Sequence, residues 1–407
     1  MTATERVSVE GHIIDSLILA KVLDTIVAAG VKHRLVDVDI GQGNADVSRA
    51  VIEITTSDEA TLDALCLDLQ VHGANRVSSG EAELVAADID GVLPAGFYST
   101  TNLPTEVRVG GRWLAVDRPE MDCALVVHTD GRAHTAPMHR VKAGDMVVVG
   151  HNGVRVAAPE KPRGQSPFEF MNSDVSSEKP KALLVNDVAA RIAGAKAAGR
   201  KILAVCGPAV IHTGAGPAIA QMISGGFVDV LFAGNGFATH DMESNVLGTS
   251  LGVSVREGAL TEGGHANHLR VINEVRRHGS IAAAVEAGYI TGGVMYECVK
   301  LGVPFVLAGS LRDDGPLPDV ITDMVTAADA MREHVDGVGV ALMCATTLHA
   351  IATGNILPAG VETFCVDINQ AVVTKLADRG SHQALGIVTD VGLFMGDLAD
   401  RLCSAGG

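Results

Sequence analysis

Residues 201–241 read KILAVCGPAVIHTGAGPAIAQMISGGFVDVLFAGNGFATHD, and the punctuation of this stretch decides the fold. Residues 202–206 are a short apolar run, which Gly207-Pro208 ends. A helix-compatible segment follows from Pro217 to Ser224, and Gly225-Gly226 stops it. Residues 228–232 are a second apolar run, ending in Ala233-Gly234-Asn235-Gly236. The pattern is strand, Gly-rich turn, helix, strand, Gly-rich turn. Neither run alternates with polar residues, as expected of parallel strands buried on both faces. Loops at the carboxyl ends of such strands are where α/β folds bind nucleotides.

Bulk composition bounds the rest. The chain has 407 residues, enough for two or three domains, and is 47% hydrophobic and 19% charged, so it can bury a large core. A net charge of -17 argues against nucleic acid or an anionic membrane as partner. No secretion signal or uninterrupted membrane-spanning stretch is visible, and the seven cysteines are scattered without a C-x-x-C pair. Both features fit a cytoplasmic protein with reduced thiols.

Working outward, residues 1–90 form an N-terminal domain. Strand-like alternation at 6–14 precedes helical spacing of Leu17, Val22 and Ile26. Two further strands follow at 32–40 and 48–55, then a helix at 59–72 with Ser57-Asp58 at its cap. With a last strand near Arg76 or at 83–87, the order is a split-βαβ, ferredoxin-like unit. Residues 91–160 carry short β-prone runs at 105–109, 112–116, 124–128, 146–149 and 154–157, a small β subdomain with Gly110-Gly111 as a hairpin loop. The polar, Pro/Ser-rich residues 161–182 are a linker or crossing. Residues 183–407 alternate strands and helices, including a helix at 320–333 and one at 371–378, and predict a doubly wound parallel sheet.

Five turns stand at the carboxyl ends of predicted strands in this last domain. They are Gly234-Asn235-Gly236, residues 309–316 with Asp313-Asp314, Ala345-Thr346-Thr347-Leu348-His349, Asp367-Ile368-Asn369, and Thr389-Asp390-Val391-Gly392. The ordinary reading of any one is a helix N-cap or a tight βα turn. Five at one sheet edge point to a dinucleotide site. The G-x-G-x-x-G fingerprint is nonetheless absent, because Gly214-x-Gly216 is followed by Ile219 at the third glycine position. Asp367 suits a ribose hydroxyl, hence NAD over NADP, or else caps the following helix. Two polar clusters suit acid–base work: His240-Asp241, and Glu262-Gly-Gly-His265-Ala-Asn267-His268. His265 and His268 lack a third committed ligand, so no metal is expected.

Long motifs then resemble one family: GHIIDSLIL (11–19), DGVLPAGFYSTTNLPTEVR (90–108), FEFMNSDVSSEKP (168–180), GPAVIHTGAG (207–216), GGHANHLRVIN (264–273), MYECVKLGVPFVLAGSLRDDGPLPDVITD (295–323) and CVDINQAVVTKLADRG (365–380). The chain resembles the lysine-oxoglutarate reductase/saccharopine dehydrogenase conserved-region family, whose archaeal and cyanobacterial members are NAD-dependent ornithine cyclodeaminases. That resemblance implies a cofactor domain of the deoxyhypusine-synthase type and conversion of L-ornithine to L-proline and ammonia. It implies NAD contacts at Asn235, Gly236, Asp314, Thr346, Leu348, His349, Asp367, Asn369, Asp390 and Val391. Asp241, Glu262 and His265 are the candidates for acid–base work. Gly236 stands where relatives carry Ala. Cyanobacterial relatives have an extra arginine-hydrolysing domain, whose activity is not expected here. A homo-oligomer is expected. An ordinary amino-acid dehydrogenase of the saccharopine or lysine type and a non-catalytic NAD-sensing module are the alternatives.

Overall fold

A computed structural model describes residues 2–14, 17–42, 46–77, 80–157, 175–176, 181–250, 253–254, 266–313, 315–372 and 384–404, and every structural statement refers to these. The chain divides into two compact units, Met1–Asn172 with Leu357–Gly360, and Ser173–Ile356 with Val361–Gly407.

The first unit opens with β1 (Ala3–Gly11), α1 (Ile18–Ala28), β2 (Lys32–Asp39), β3 (Ser48–Thr56), α2 (Glu59–Gln70) and β4 (Asn75–Arg76). The four strands form an antiparallel sheet in the order β2-β3-β1-β4, the split-βαβ arrangement. Alternation drives it. Val7 and Val9 of β1, and Ala50, Ile52 and Ile54 of β3, share one core with Val22 and Ile26 of α1 and Leu65 and Leu69 of α2. Asp58 caps α2 as expected, its Oδ1 accepting the Thr61 amide at 2.8 Å.

Of the two candidates for the last strand of this sheet, Asn75–Arg76 is the one used. Residues Glu83–Ala86 (β5) instead pair with a strand of the second sheet. That corrects the domain boundary placed after residue 90. The second sheet also holds β6 (Thr105–Val109), β7 (Arg112–Asp117), β8 (Ala124–Val127), β9 (Ala133–Ala136), β10 (Met146–Val149) and β11 (Val154–Val156), in the order β11-β6-β7-β9-β8-β10-β5. It is mixed, with β7 and β9 parallel. Gly110 and Gly111 take φ of 59° and 76°, the doubly left-handed backbone of a two-residue hairpin. The strand β9, AHTA, has no apolar run to mark it in the sequence and forms by pairing with β8.

The second unit is built on an eight-stranded parallel sheet. Its strands are β12 (Val175–Ser176), β13 (Lys201–Cys206), β14 (Val230–Gly234), β17 (Phe305–Ala308), β18 (Val320–Ile321), β19 (Val338–Cys344), β20 (Glu362–Asp367) and β21 (Ala384–Val388), while β15 (Thr249–Ser250) and β16 (Val253–Ser254) form a separate ribbon. The order is β12-β21-β20-β19-β13-β14-β17-β18, with helices α4 (Ala209–His212) and α5 (Gly216–Ser224) between β13 and β14 in the chain and α8 (Ile281–Glu286) before β17. Read from β17 to β21, this is the dinucleotide-binding order 3-2-1-4-5-6, with its switch point between β13 and β19. The fold therefore keeps the Rossmann strand order while lacking the Rossmann glycine spacing.

Three expectations are corrected here. Residues 175–176, inside the expected linker, form the edge strand β12, while the rest of that linker up to α3 (Lys181–Ala197) lies outside the described residues. The helix expected at 320–333 is split. Val320 and Ile321 pair with Leu307 and Ala308, and Asp323 then caps α10 (Met324–His334) through the Thr326 amide at 2.8 Å. The GNG turn is no loop: Asn235 and Gly236 are the first residues of the helix that follows β14. Most of the helix expected at 371–378 falls outside the described residues.

Candidate active site

Three strand ends meet at the switch point because glycines let them. Cys206 and Cys344 are in register at the ends of β13 and β19, and the Gly207 amide donates to the Cys344 carbonyl at 2.9 Å. A Cβ on Gly207 would lie 2.0 Å from the Ala345 carbonyl oxygen, so only glycine permits this approach. Ala345 itself has a φ of 48°, and its amide is held by the Val366 carbonyl at 2.9 Å. Left-handed backbone on a non-glycine residue is strain of the kind that collects at functional sites. A Cβ on Gly236 would meet Pro208 at 3.2 Å, and one on Gly234 would meet the His349 ring at 2.9 Å. Burial pushes the His349 imidazole below the usual histidine range, so it is neutral at pH 7. The ends of β13, β14 and β19 thus form a cradle walled by backbone, with the first-turn amides of α6 (Asn235–Leu247) at its head.

The sequence-predicted cofactor residues fall around this edge in different roles. Asn235 is buried, and its side chain bonds the loop after β17, accepting the Leu317 amide at 3.0 Å and donating to the Gly315 carbonyl at 3.4 Å. Asp367 ends β20, where its Oδ1 accepts the Asn369 amide at 2.8 Å. The capping role weighed for Asp367 belongs instead to Asn369, whose Oδ1 accepts the Ala371 amide at 3.0 Å. Asp390 caps the C-terminal helix Val391–Ser404 through the Leu393 amide at 2.9 Å, and the Val391 side chain is buried. Leu348 is 79% exposed at the head of α11 (Leu348–Ile356), two residues after Thr346. Asp314, Glu262 and His265 lie outside the described residues.

Asp241 does something the sequence did not disclose. It is buried in α6, and its two carboxylate oxygens accept the amides of Val294 and Met295, each at 2.9 Å. These are the first amides of α9 (Val294–Leu301), whose own N-cap, Gly293, has no side chain to offer. Gly293 is required there twice over. Its φ is 99°, and a Cβ would lie 2.8 Å from either Asp241 oxygen. Burial raises the Asp241 carboxyl to about 6, against the lowering pull of the two amides. With both oxygens accepting backbone amides, Asp241 positions α9. Asp241→Asn would turn an NH2 toward one of those amides. A loss of about 1–3 kcal/mol of stability is the expected result, read by denaturant unfolding at pH 7.

Its neighbour His240 has the better geometry for proton transfer. Nδ1 of His240 lies 2.8 Å from Oε2 of Glu243, one helical turn on. Glu243 is fully buried, and its Oε1 accepts the Thr249 hydroxyl at 2.8 Å, which in turn accepts from Asn267 at 2.8 Å. An acceptor carboxylate on Nδ1 fixes the proton there and leaves Nε2 as the exchanging nitrogen. The His212 ring stands edge-on to His240 at 4.7 Å and bonds Ser250 at 2.7 Å, while the His268 ring is 6.2 Å away at the head of α7 (Asn267–His278). Burial, with His240 beside it, pushes the His212 imidazole below the usual histidine range. Sequence reasoning named His240 but missed Glu243 and His212. The i, i+3 spacing of HDME was the available signal for the first.

Models of the ArgZ-like arginine dihydrolase C-terminal region match residues 186–398 as its Rossmann fold and residues 104–185 as its first region, and the LOR/SDH bifunctional enzyme conserved region matches residues 4–103. The chain belongs to this LOR/SDH, ArgZ-like family. Within it, the chain is 51% identical to the ornithine cyclodeaminase of Methanothermobacter thermautotrophicus, over 96% of both chains. The crystal structure of a LOR/SDH protein from Methanococcus maripaludis is 48% identical, with a TM-score of 0.77 over 81% of this chain and 100% of that one. AgrE, the bifunctional arginine dihydrolase/ornithine cyclodeaminase of Nostoc, is known in ternary complex with ornithine and NAD+. That structure is 40% identical, with a TM-score of 0.54 over 99% of this chain and 58% of AgrE. The family match joins the Rossmann strand order to an N-terminal region that is antiparallel in its first sheet.

Proposed function

We propose that this chain is an NAD-dependent ornithine cyclodeaminase, converting L-ornithine to L-proline and ammonia. The observation that carries this reading is end-to-end identity of 51% with an archaeal ornithine cyclodeaminase. The cofactor fits the residues present. Gly207, Gly234 and Gly236 leave a cradle that side chains would fill, beside first-turn amides of α6 that no described side chain caps and that suit a pyrophosphate. Among the described residues only Oδ1 of the Asp367 carboxylate is engaged, so this carboxylate suits a ribose hydroxyl, which favours NAD over NADP. When bound, NAD+ supplies a reversible acceptor for the hydride on the substrate α-carbon.

The chain's own residues do the rest. The δ-amine must be neutral to attack the α-carbon, and ammonia must take up protons as it leaves. His240, oriented by Glu243, is the group assigned to move those protons. Glu262 and His265 remain candidates as well, and Asp241 supports the site from α6 by holding the first amides of α9. The seven cysteines are unbridged, as suits a cytoplasmic enzyme.

Isotope retention tests this reading. Ornithine deuterated at Cα is expected to give proline that keeps the deuterium at its own α-carbon, because the same hydride leaves and returns. Loss of the label to solvent overturns it. Asp367→Ala is expected to raise the KM for NAD+ about tenfold or more and to narrow the preference over NADP+, measured by initial rates with each cofactor.

A further inference from the structure

The strand β2 is the open edge of the four-stranded sheet, with β3 on one side and no other described strand on the far side. All eight residues, KHRLVDVD, are exposed, among them Leu35, Val36 and Val38. A long edge with free ladder groups and apolar side chains is a template for another strand.

The charges on β2 say which strand. Lys32, His33 and Arg34 occupy its first half, and Asp37 and Asp39 its second. The register against β3 shifts between Leu35 and Asp37, so Val36 is a bulge. Side chains alternate faces along a strand, and an extra residue resets the alternation. Lys32, Arg34, Asp37 and Asp39 accordingly share the face of Thr55, Glu53, Val51 and Arg49, away from the helix-packed core. His33, Leu35 and Val38 share the face of Ile54, Ile52 and Ala50.

A two-fold axis perpendicular to the sheet leaves every residue on its own face, so only residues of the same face can stand opposite each other. In a regular strand that would forbid Arg34 from meeting residue 37. The bulge permits it. An axis through the bulge sets Arg34 opposite Asp37 of a second copy, Lys32 opposite its Asp39 and His33 opposite its Val38, and each pair occurs twice. Within one chain the outward face already alternates in sign, Arg6 with Glu53 and Glu53 with Arg34, both at 3.0 Å. Asp37 of the second copy continues the row.

We propose that β2 pairs antiparallel with β2 of a second copy of this chain, joining two four-stranded sheets across a two-fold axis. Charged edges ordinarily repel stray strands. Here they leave the chain's own copy as the strand that matches in both charge and face, so the same charges that exclude others select this one.

Two measurements on the full chain test the proposal. Carbodiimide cross-linking of the wild type, which joins an amine to a carboxylate directly, is expected to give a Lys32–Asp39 peptide by mass spectrometry. These residues are seven apart on one strand, about 23 Å, so the link must join two chains. Sedimentation velocity of K32D, D39K and K32D/D39K is the second. Either single reversal sets like charges opposite each other twice and is expected to raise the dissociation constant about tenfold or more, and the double variant to restore it. A monomer at all concentrations, an assembly indifferent to the single reversals, a double variant as weak as the singles, or no Lys32–Asp39 link overturns the proposal.

Discussion

His240→Asn is expected to lower kcat about 10²- to 10⁴-fold while the protein stays folded. The asparagine amide can still donate to Glu243 from near the place of Nδ1, so the buried carboxylate keeps a partner. What disappears is Nε2, the nitrogen that the Glu243 contact at 2.8 Å leaves for exchange. Glu243→Gln gives the complementary result. It keeps the packing and the Thr249 contact but no longer fixes the proton on Nδ1, so kcat is expected to fall while KM for ornithine changes little. Steady-state kinetics across pH, with circular dichroism as the folding control, reads both. If His240→Asn turns over ornithine at the wild-type rate, the proton path runs elsewhere, with Glu262 and His265 next to be tested.

Gly207→Ala is expected to be the most damaging single methyl in the cofactor unit. Its Cβ would stand 2.0 Å from a backbone oxygen, that of Ala345, which is itself held in left-handed conformation by the Val366 carbonyl. Neither side can step aside as a flexible side chain would. The ends of β13 and β19 must separate, at a cost of about 3 kcal/mol or more, and NAD+ affinity should fall with the cradle they form. Gly194→Ala is the matched control. Gly194 lies within α3 with no atom near its added Cβ, so alanine there should stabilise by up to about 1 kcal/mol. Thermal melts with and without NAD+ measure both. A Gly207→Ala protein that melts like wild type and binds NAD+ normally would show that the cradle does not hold the cofactor.

Stability also carries a pH signature. Burial pushes the imidazoles of His72, His134, His151, His212 and His349 below the ordinary value of 6.5. The unfolded chain then binds protons that the folded chain does not, so these groups remove stability as pH falls below 6.5. Asp241 works in the opposite sense. Its folded value near 6 lies above the ordinary 3.8, so its contribution declines as pH rises from about 4 through 6. The difference in melting temperature between wild type and Asp241→Asn should therefore shrink from pH 4 to pH 6.5, once the lost hydrogen bond is allowed for as a constant offset.

Periodicity carried most of the architecture. Alternation in β1 and β3, unbroken apolar runs in β13 and β19, and caps such as Asp58 are local signals, and local physics makes those elements. The failures were equally physical. Val320 and Ile321 look helical in their own neighbourhood and become strand only because β17 lies alongside. Asn235 and Gly236 look like a turn, but they open a helix whose first turn abuts Pro208. The Asp241 carboxylate reaches amides 53 and 54 residues away, a pairing no local window can contain. The five strand-end turns did mark the sheet edge, yet which of them cap helices and which face a ligand depends on hydrogen bonds that only the fold discloses.

The proposed reaction has no net redox change. Purified enzyme with L-ornithine and a catalytic amount of NAD+ is the direct measurement, following proline and ammonia by chromatography and NADH by absorbance. One proline and one ammonia per ornithine are expected, with many turnovers per NAD+ and no accumulation of NADH. Stoichiometric NADH, or ornithine left unconsumed with NAD+ bound, would contradict it.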